Sequence, residues 1–325
     1  MKNNQSIIVG VLAGIAAGLM VLAAFKAGVL AIVLFFAAPA AVYIASMGWG
    51  SLAGIIAAVT GASLAAGAGD NSIAGLALVL LFAPAAYVGH LVNLGQRDEN
   101  GNIIWFPLSD ILLRLMAILA IGFVLIGALS GYTQELAAAA IVELMKQIAS
   151  TNPELPQLND ELLLDRANLY AGIIPAMLPC MWLLLHVVTA FISANITRRS
   201  GLLARAPEDV AASVSLPFQA SVFLAVGLAG MFLFTGALKL VGGVSLGIGI
   251  AGYALIGLAA MHFRTRPLQS RGLLLAIAYG SIILFSLPLL VFTFIGLLRS
   301  LQTNQPNSGS NNGSGNSNSS NQNEE

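Results

Sequence analysis

The 325-residue sequence is 58% hydrophobic and only 9% charged, and its formal net charge is zero. A soluble domain carries about 25% charged residues, so a water-soluble fold is excluded and lipid must cover the surface. The balanced charge excludes the basic footprint of a nucleic-acid binder, and a single cysteine, Cys180, excludes an internal disulfide and any Cys-based metal or iron–sulfur site within one chain.

A helix needs about 20 apolar residues to cross roughly 30 Å of hydrocarbon. About nine stretches meet or approach this, near 7–25, 28–46, 52–69, 73–92, 111–130, 170–195, 218–238, 241–261 and 273–298. The expected fold is therefore all-α, a polytopic transmembrane helix bundle over residues 1–300 followed by a tail over 301–325. That tail is Asn, Ser, Gly and Gln, with too little apolar surface to fold. Eight spans result if two of the first three, closely spaced, form one broken helix.

The first run, Ile7 to Phe25, is longer than a signal-peptide core and lacks an A-x-A cleavage site, so it reads as an uncleaved span. Gly10, Ala13, Gly14, Ala17 and Gly18 make it a ridge of small residues that lets another helix approach closely. The ridge serves either packing inside the bundle or docking of a second protein. Gly50 with Gly54, and Gly243 with Gly247, repeat the pattern. Lys26 separates the first two spans, and Gly48-Trp49-Gly50-Ser51 the second and third, as tight hairpins would.

Asn100-Gly101 reads as a turn. Trp105, Phe106 and Pro107 suit the headgroup level, and Ser109 is the expected N-cap of the fifth span, with Asp110 at its positive end. From Thr133 to Ser150, Ala137, Ile141, Leu144 and Ile148 share one helical face while Glu143, Lys146, Gln147 and Ser150 share another. This amphipathic helix either lies flat on the membrane or packs on the bundle. Asn152-Pro153 and Leu155-Pro156 end it.

Pro175, Pro179, Trp182, His186 and Ser193 occupy one face of the sixth span. Prolines leave carbonyls free in a helix, and an imidazole inside hydrocarbon needs a partner. His186 and Trp182 are thus the candidate ligand-binding pair, a directional hydrogen bond beside an apolar wall. The alternative is a neutral histidine bonded to a neighbouring helix. His90 and His262 fall near span ends, at the interface.

Arg97, Arg198, Arg199, Arg205, Arg264, Arg266 and Arg271 fall on the N-terminal side of a nine-span arrangement, whereas the loop 131–169 is acidic. The positive-inside rule puts the N-terminus in the cytoplasm and that loop outside the bacterial inner membrane. Lys26 and Lys239 dissent. There is no G-x-x-x-x-G-K-[ST] and no H-E-x-x-H. Gly243-Val244-Ser245-Leu246-Gly247 matches G-x-S-x-G, but inside a hydrophobic span where no strand-to-helix elbow forms. No enzyme, catalytic residue, metal or cofactor is expected.

Two segments carry a resemblance. Arg97-Asp98-Glu99-Asn100-Gly101 through Trp105-Phe106-Pro107 is one; the other runs from Asn195 through Arg198, Gly201, Arg205, Pro207 and Asp209 to Leu216-Pro217. With the span pattern over about residues 5–300, the chain resembles the YybS-like predicted bacterial membrane proteins, a domain-of-unknown-function family. That family is distantly similar to the S components of energy-coupling-factor vitamin transporters and to the shape-determining protein MreD. S components dock a partner through a small-residue face of the first helix, which implies that role for Gly10, Ala13, Gly14, Ala17 and Gly18. The chain departs from them in having more than six spans.

Two functions follow. The first is a small-molecule binding or transport subunit in the lipid bilayer, energised by partner ATPases because this chain has no P-loop. The second is a membrane scaffold recruiting cell-envelope proteins.

Overall fold

The computed structural model describes residues 2–24, 29–68, 71–152, 159–285 and 287–303. Lys26, Pro153, Pro156 and the expected tail from residue 304 onward lie outside the described residues.

Helices α1 (Lys2–Ala24), α2 (Val29–Trp49) and α3 (Ser51–Gly67) form the first unit. Between α2 and α3 the chain reverses at Gly50, whose φ of 90° only glycine adopts without strain. Helices α1 and α3 run parallel, because Gly10, Gly14 and Gly18 face Ala53, Ala57 and Gly61 in turn. A continuous rod follows, made of α4 (Asn71–Ala77), a π-helical turn (Leu78–Phe82) and α5 (Ala83–Val92).

The expected turn at Asn100-Gly101 closes a small hairpin, β1 (Gly95–Arg97) against β2 (Ile103–Trp105). Its strands are too short to leave a periodic signal. The Asp98 carboxylate accepts from the Asn100 and Asn102 amides, and Gly101 takes a positive φ of 82°. Helix α6 (Leu108–Leu129) is capped by Pro107, not Ser109. Ser109 lies in the first turn, and its hydroxyl accepts from the Ser215 amide instead.

Helix α7 (Gln134–Thr151) starts at Thr133, which accepts from the Leu136 amide. It packs antiparallel on the N-terminal end of α8 (Asp160–Arg199) through buried Ala138, Ala167 and Ala171. Gln134 donates to the Asn168 carbonyl and Lys146 pairs with Asp160. Of the two placements open for this amphipathic segment, the packed one is found. Its support is the length of α8, whose 40 residues span roughly 60 Å at about 1.5 Å per residue, well beyond the hydrocarbon.

A short α9 (Val210–Ser213) and a 3-10 turn (Phe218–Ala220) lead to α10 (Ser221–Leu233) and α11 (Gly236–Arg264). Glycines let α11 sit at the centre. A Cβ at Gly247 would stand 1.9 Å from the Ala176 carbonyl oxygen of α8, so backbone meets backbone there.

The expected last span, 273–298, is instead two helices, α12 (Arg271–Phe285) and α13 (Pro288–Thr303). Pro288 explains the break, since it lacks the N–H that a continuous helix needs and suits a first helical turn. Among the described residues, five helical rods of 22 or more residues are long and apolar enough to cross a membrane, and five apolar helices are shorter. The expected count of about nine spans is not confirmed by these helices.

The connections gather at two ends. Ser6 donates to the Trp49 carbonyl, Gly48 neighbours Thr197 and Leu202, Ser109 meets Ser215, and Arg266 pairs with Asp209. This end holds the start of α1 and most of the arginines. The opposite end holds α7, the start of α8 and the α10–α11 turn, joined by Lys239 donating to Gln134.

Candidate functional site

Pro175, Pro179, His186 and Ser193 are buried and Trp182 half-buried, while Val188 is exposed. His186 is fully enclosed. Its Nε2 lies 2.8 Å from the Leu80 carbonyl oxygen and its Nδ1 3.0 Å from the Tyr43 hydroxyl. A carbonyl only accepts, so Nε2 carries the proton, and the neutral ring accepts from Tyr43 at Nδ1.

The Leu80 carbonyl is available for a local reason. Its helical donor would be the amide of residue 84, which is Pro84 and has none. The π-helical turn at Leu78–Phe82 absorbs the same disturbance. His186 thus ties α8 to α2 and to the π-helical turn. Trp182 fills the space beside it, edge-on to Phe35, Phe36 and Phe123 at 5.7–6.2 Å between centroids. Its buried Nε1 has no hydrogen-bond partner among the described residues. Neither His186 nor Trp182 lines the cavities that follow. The node has the chemistry of a cross-link.

The same device recurs near the opposite end. Pro175 leaves the Ala171 carbonyl without its helical amide, and the Tyr132 hydroxyl donates to it at 2.8 Å. Tyr132, Gln134, Glu135 and Lys239 line a cavity of about 200 Å³ there. Burial pushes the Tyr132 pKa up. Glu135 is held below its ordinary range by its own backbone amide first, then by the Thr133 hydroxyl.

The first-helix ridge is taken. A Cβ at Gly14 would lie 2.6 Å from both the Ala57 carbonyl oxygen and the Thr60 Cβ. Gly10 and Gly18 meet α3 as closely, and Ala17 is fully buried. Ala13 is half-buried on the same helix. The glycines dock α3 of the same chain, which leaves that face closed to a partner. Ser245 is buried mid-way along α11, with helix on both sides.

A larger cavity of about 440 Å³ lies between α5, α6, α8, α11 and the segment after α8. Val88, Leu112, Val187, Phe191 and Ile256 are among its apolar walls. Its arginine-rich end is polar, with Asn195, Arg198, Arg205 and Glu208. Arg205 is 4% exposed and donates from Nε and Nη2 to Glu208 Oε1 at 2.8 and 2.7 Å. Arg198 donates to Asn195 Oδ1 at 3.0 Å and to the Arg205 carbonyl at 3.4 Å. Just beyond, Arg266 donates to both Asp209 oxygens and holds that carboxyl down to about 2.

In the sequence Arg198 and Arg205 mark orientation and carry part of the family resemblance, and neither stands out as a site residue. A signal for the cavity was present: Val187, Ala190, Phe191, Ala194, Asn195 and Arg198 follow helical spacing on the face beside His186. Among the described residues no three His, Cys, Asp or Glu side chains gather as a metal site.

A family model described as "Predicted membrane protein (DUF2232)" matches residues 14–298. No curated protein and no solved structure matches the chain.

Proposed function

The chain belongs to the DUF2232 family of predicted membrane proteins, and we propose that it is a small-molecule binding subunit embedded in the bacterial inner membrane. The observation that carries this reading is the cavity of about 440 Å³ with apolar walls and a buried arginine at one end. Ligand sites are mostly apolar concavities of roughly 300–1,000 Å³ with a few fixed polar groups. The N-terminus and the arginine-rich end face the cytoplasm on this reading, following the positive-inside rule. Partner ATPases supply the energy if transport follows binding, as the resemblance to energy-coupling-factor S components suggests. Helix α3 occupies the first-helix small-residue face, so any partner, ATPase or scaffolded protein alike, docks on another surface.

The test is native mass spectrometry on the full chain purified gently from its own membranes. A bound small molecule is expected in the wild type and absent in Ala194→Trp, which fills the cavity wall. Copurifying ATPases support transport. Envelope proteins copurifying with a ligand-free chain refute the binding reading.

A further inference from the structure

We infer that the cavity takes an amphiphile with one apolar chain and an anionic head, a carboxylate or a phosphate. The inference rests on the binding reading above and adds the ligand class. Arg205 provides the decisive observation. Its side chain is 4% exposed, and Glu208 engages Nε and Nη2. Nη1 is buried with no hydrogen-bond partner among the described residues. A guanidinium nitrogen stripped of water and left unpaired is costly, and an oxyanion in the cavity satisfies it.

The charge balance agrees. Arg205 and Glu208 neutralise each other as a pair, whereas Arg198 is held by the neutral Asn195 amide and a carbonyl. The polar end therefore carries one uncompensated positive charge, which suits one anionic head. The remaining walls offer Val88, Leu112, Val187, Phe191 and Ile256 to a hydrocarbon chain. At about 30 Å³ per water-sized group, the volume of about 440 Å³ holds roughly fifteen groups. That is room for a single chain of about that length. The ligand is either a free single-chain amphiphile or a bilayer lipid inserting one tail.

The experiment uses the full chain in nanodiscs of zwitterionic phosphatidylcholine, labelled with a photoactivatable diazirine tetradecanoate. Tetradecanoate and tetradecyl phosphate should compete at least tenfold better than tetradecanol. Arg205→Gln should abolish that preference, and Arg205→Lys should retain part of it. Ala194→Trp leaves Arg205 in place and should remove labelling altogether. Adding phosphatidylglycerol then separates the sources. Suppressed labelling assigns the site to a bilayer lipid, and unchanged labelling assigns it to a free amphiphile; either supports the anionic class. Equal competition by tetradecanol, together with unchanged binding in Arg205→Gln, overturns the anionic class and leaves the cavity reading standing. Labelling that survives Ala194→Trp overturns the cavity reading itself.

Discussion

Replacing His186 with leucine tests whether the buried imidazole is a cross-link. The variant leaves the Tyr43 hydroxyl and the Leu80 carbonyl without the partners they have at 3.0 and 2.8 Å. An unpaired buried polar group costs about 1–3 kcal/mol in a soluble interior, and polar contacts in membrane bundles average nearer about 0.6 kcal/mol. Two orphaned groups set the expected loss at roughly 1–6 kcal/mol. Pro84 supplies the control. Pro84→Ala restores an amide four residues after Leu80, so the carbonyl regains a partner without His186. His186→Leu should therefore cost markedly less in the Pro84→Ala background, by about 1 kcal/mol. Unfolding of the full chain in mixed micelles, titrated with dodecyl sulfate and followed by tryptophan fluorescence, measures all four corners of the cycle. Equal costs of His186→Leu in both backgrounds would refute the proline-freed carbonyl as the reason for the histidine.

Gly14→Leu drives a side chain into the Ala57 backbone and the Thr60 side chain of α3, and should lower stability by about 1–3 kcal/mol or more in the same titration; no change would mean that α1 leans away from α3. Gly247→Ala places its Cβ against the Ala176 carbonyl, which no side-chain rotation relieves, so α8 and α11 must part. Stability should fall, and labelling of the cavity should change with it, whereas Gly14→Leu leaves labelling of the folded fraction intact. Asp209, held near 2 against an ordinary 3.8, loses the Arg266 pair on acidification. Its folded value is the lower one, so the contribution is complete above 3.8 and disappears as pH falls through about 2. Spin labels at Ala212 and Ser270 should separate over that range, and Asp209→Asn should show the wide distance throughout. Reporters inserted after Asn152 and after Gly201 should report opposite compartments, with Gly201 cytoplasmic; a shared compartment refutes the orientation.

Much of the fold was legible because hydrocarbon permits little besides apolar helices. The inward face of α8 could be read because prolines, an imidazole and a serine at helical spacing need partners that lipid does not offer. What those partners are was not legible. Leu80 presents its carbonyl because Pro84 lies four residues on in the same rod, and the periodicity of α8 carries no link to that rod. The first-helix ridge was legible as a close contact, but its occupant, α3, was not; parallel α1 and α3 require a return through α2 of matched length. Hydropathy also read through Pro288, because apolar residues continue on both sides of it while the hydrogen-bond ladder does not. The cavity was missed for a different reason. Arg205 lies beyond the helix whose face it completes, and its burial comes from tertiary packing of the 200–216 segment.

Helix α8 divides its labour by face, and that division constrains what a ligand can do. One face holds His186 and ties α8 to α2 and the π-helical turn. A second meets the α11 backbone at Ala176 and Gly247. A third carries Val187, Ala190, Phe191 and Ala194 into the cavity and ends at Arg198. The first two contacts hold α8 between residues 176 and 186, about 15 Å of its length, and buried Ser193 and Thr197 continue the packed side behind the cavity wall. The wall facing it across the cavity is the 203–214 segment that bears Arg205 and Glu208, the part of the lining that lies outside the long helices. That segment is tied back to the bundle by Arg266 on Asp209 and by Arg299 on the Ala211 and Ala212 carbonyls. The Asp209 pair is the tie that acid removes, which makes pH the handle on whether this segment holds its place at the cavity.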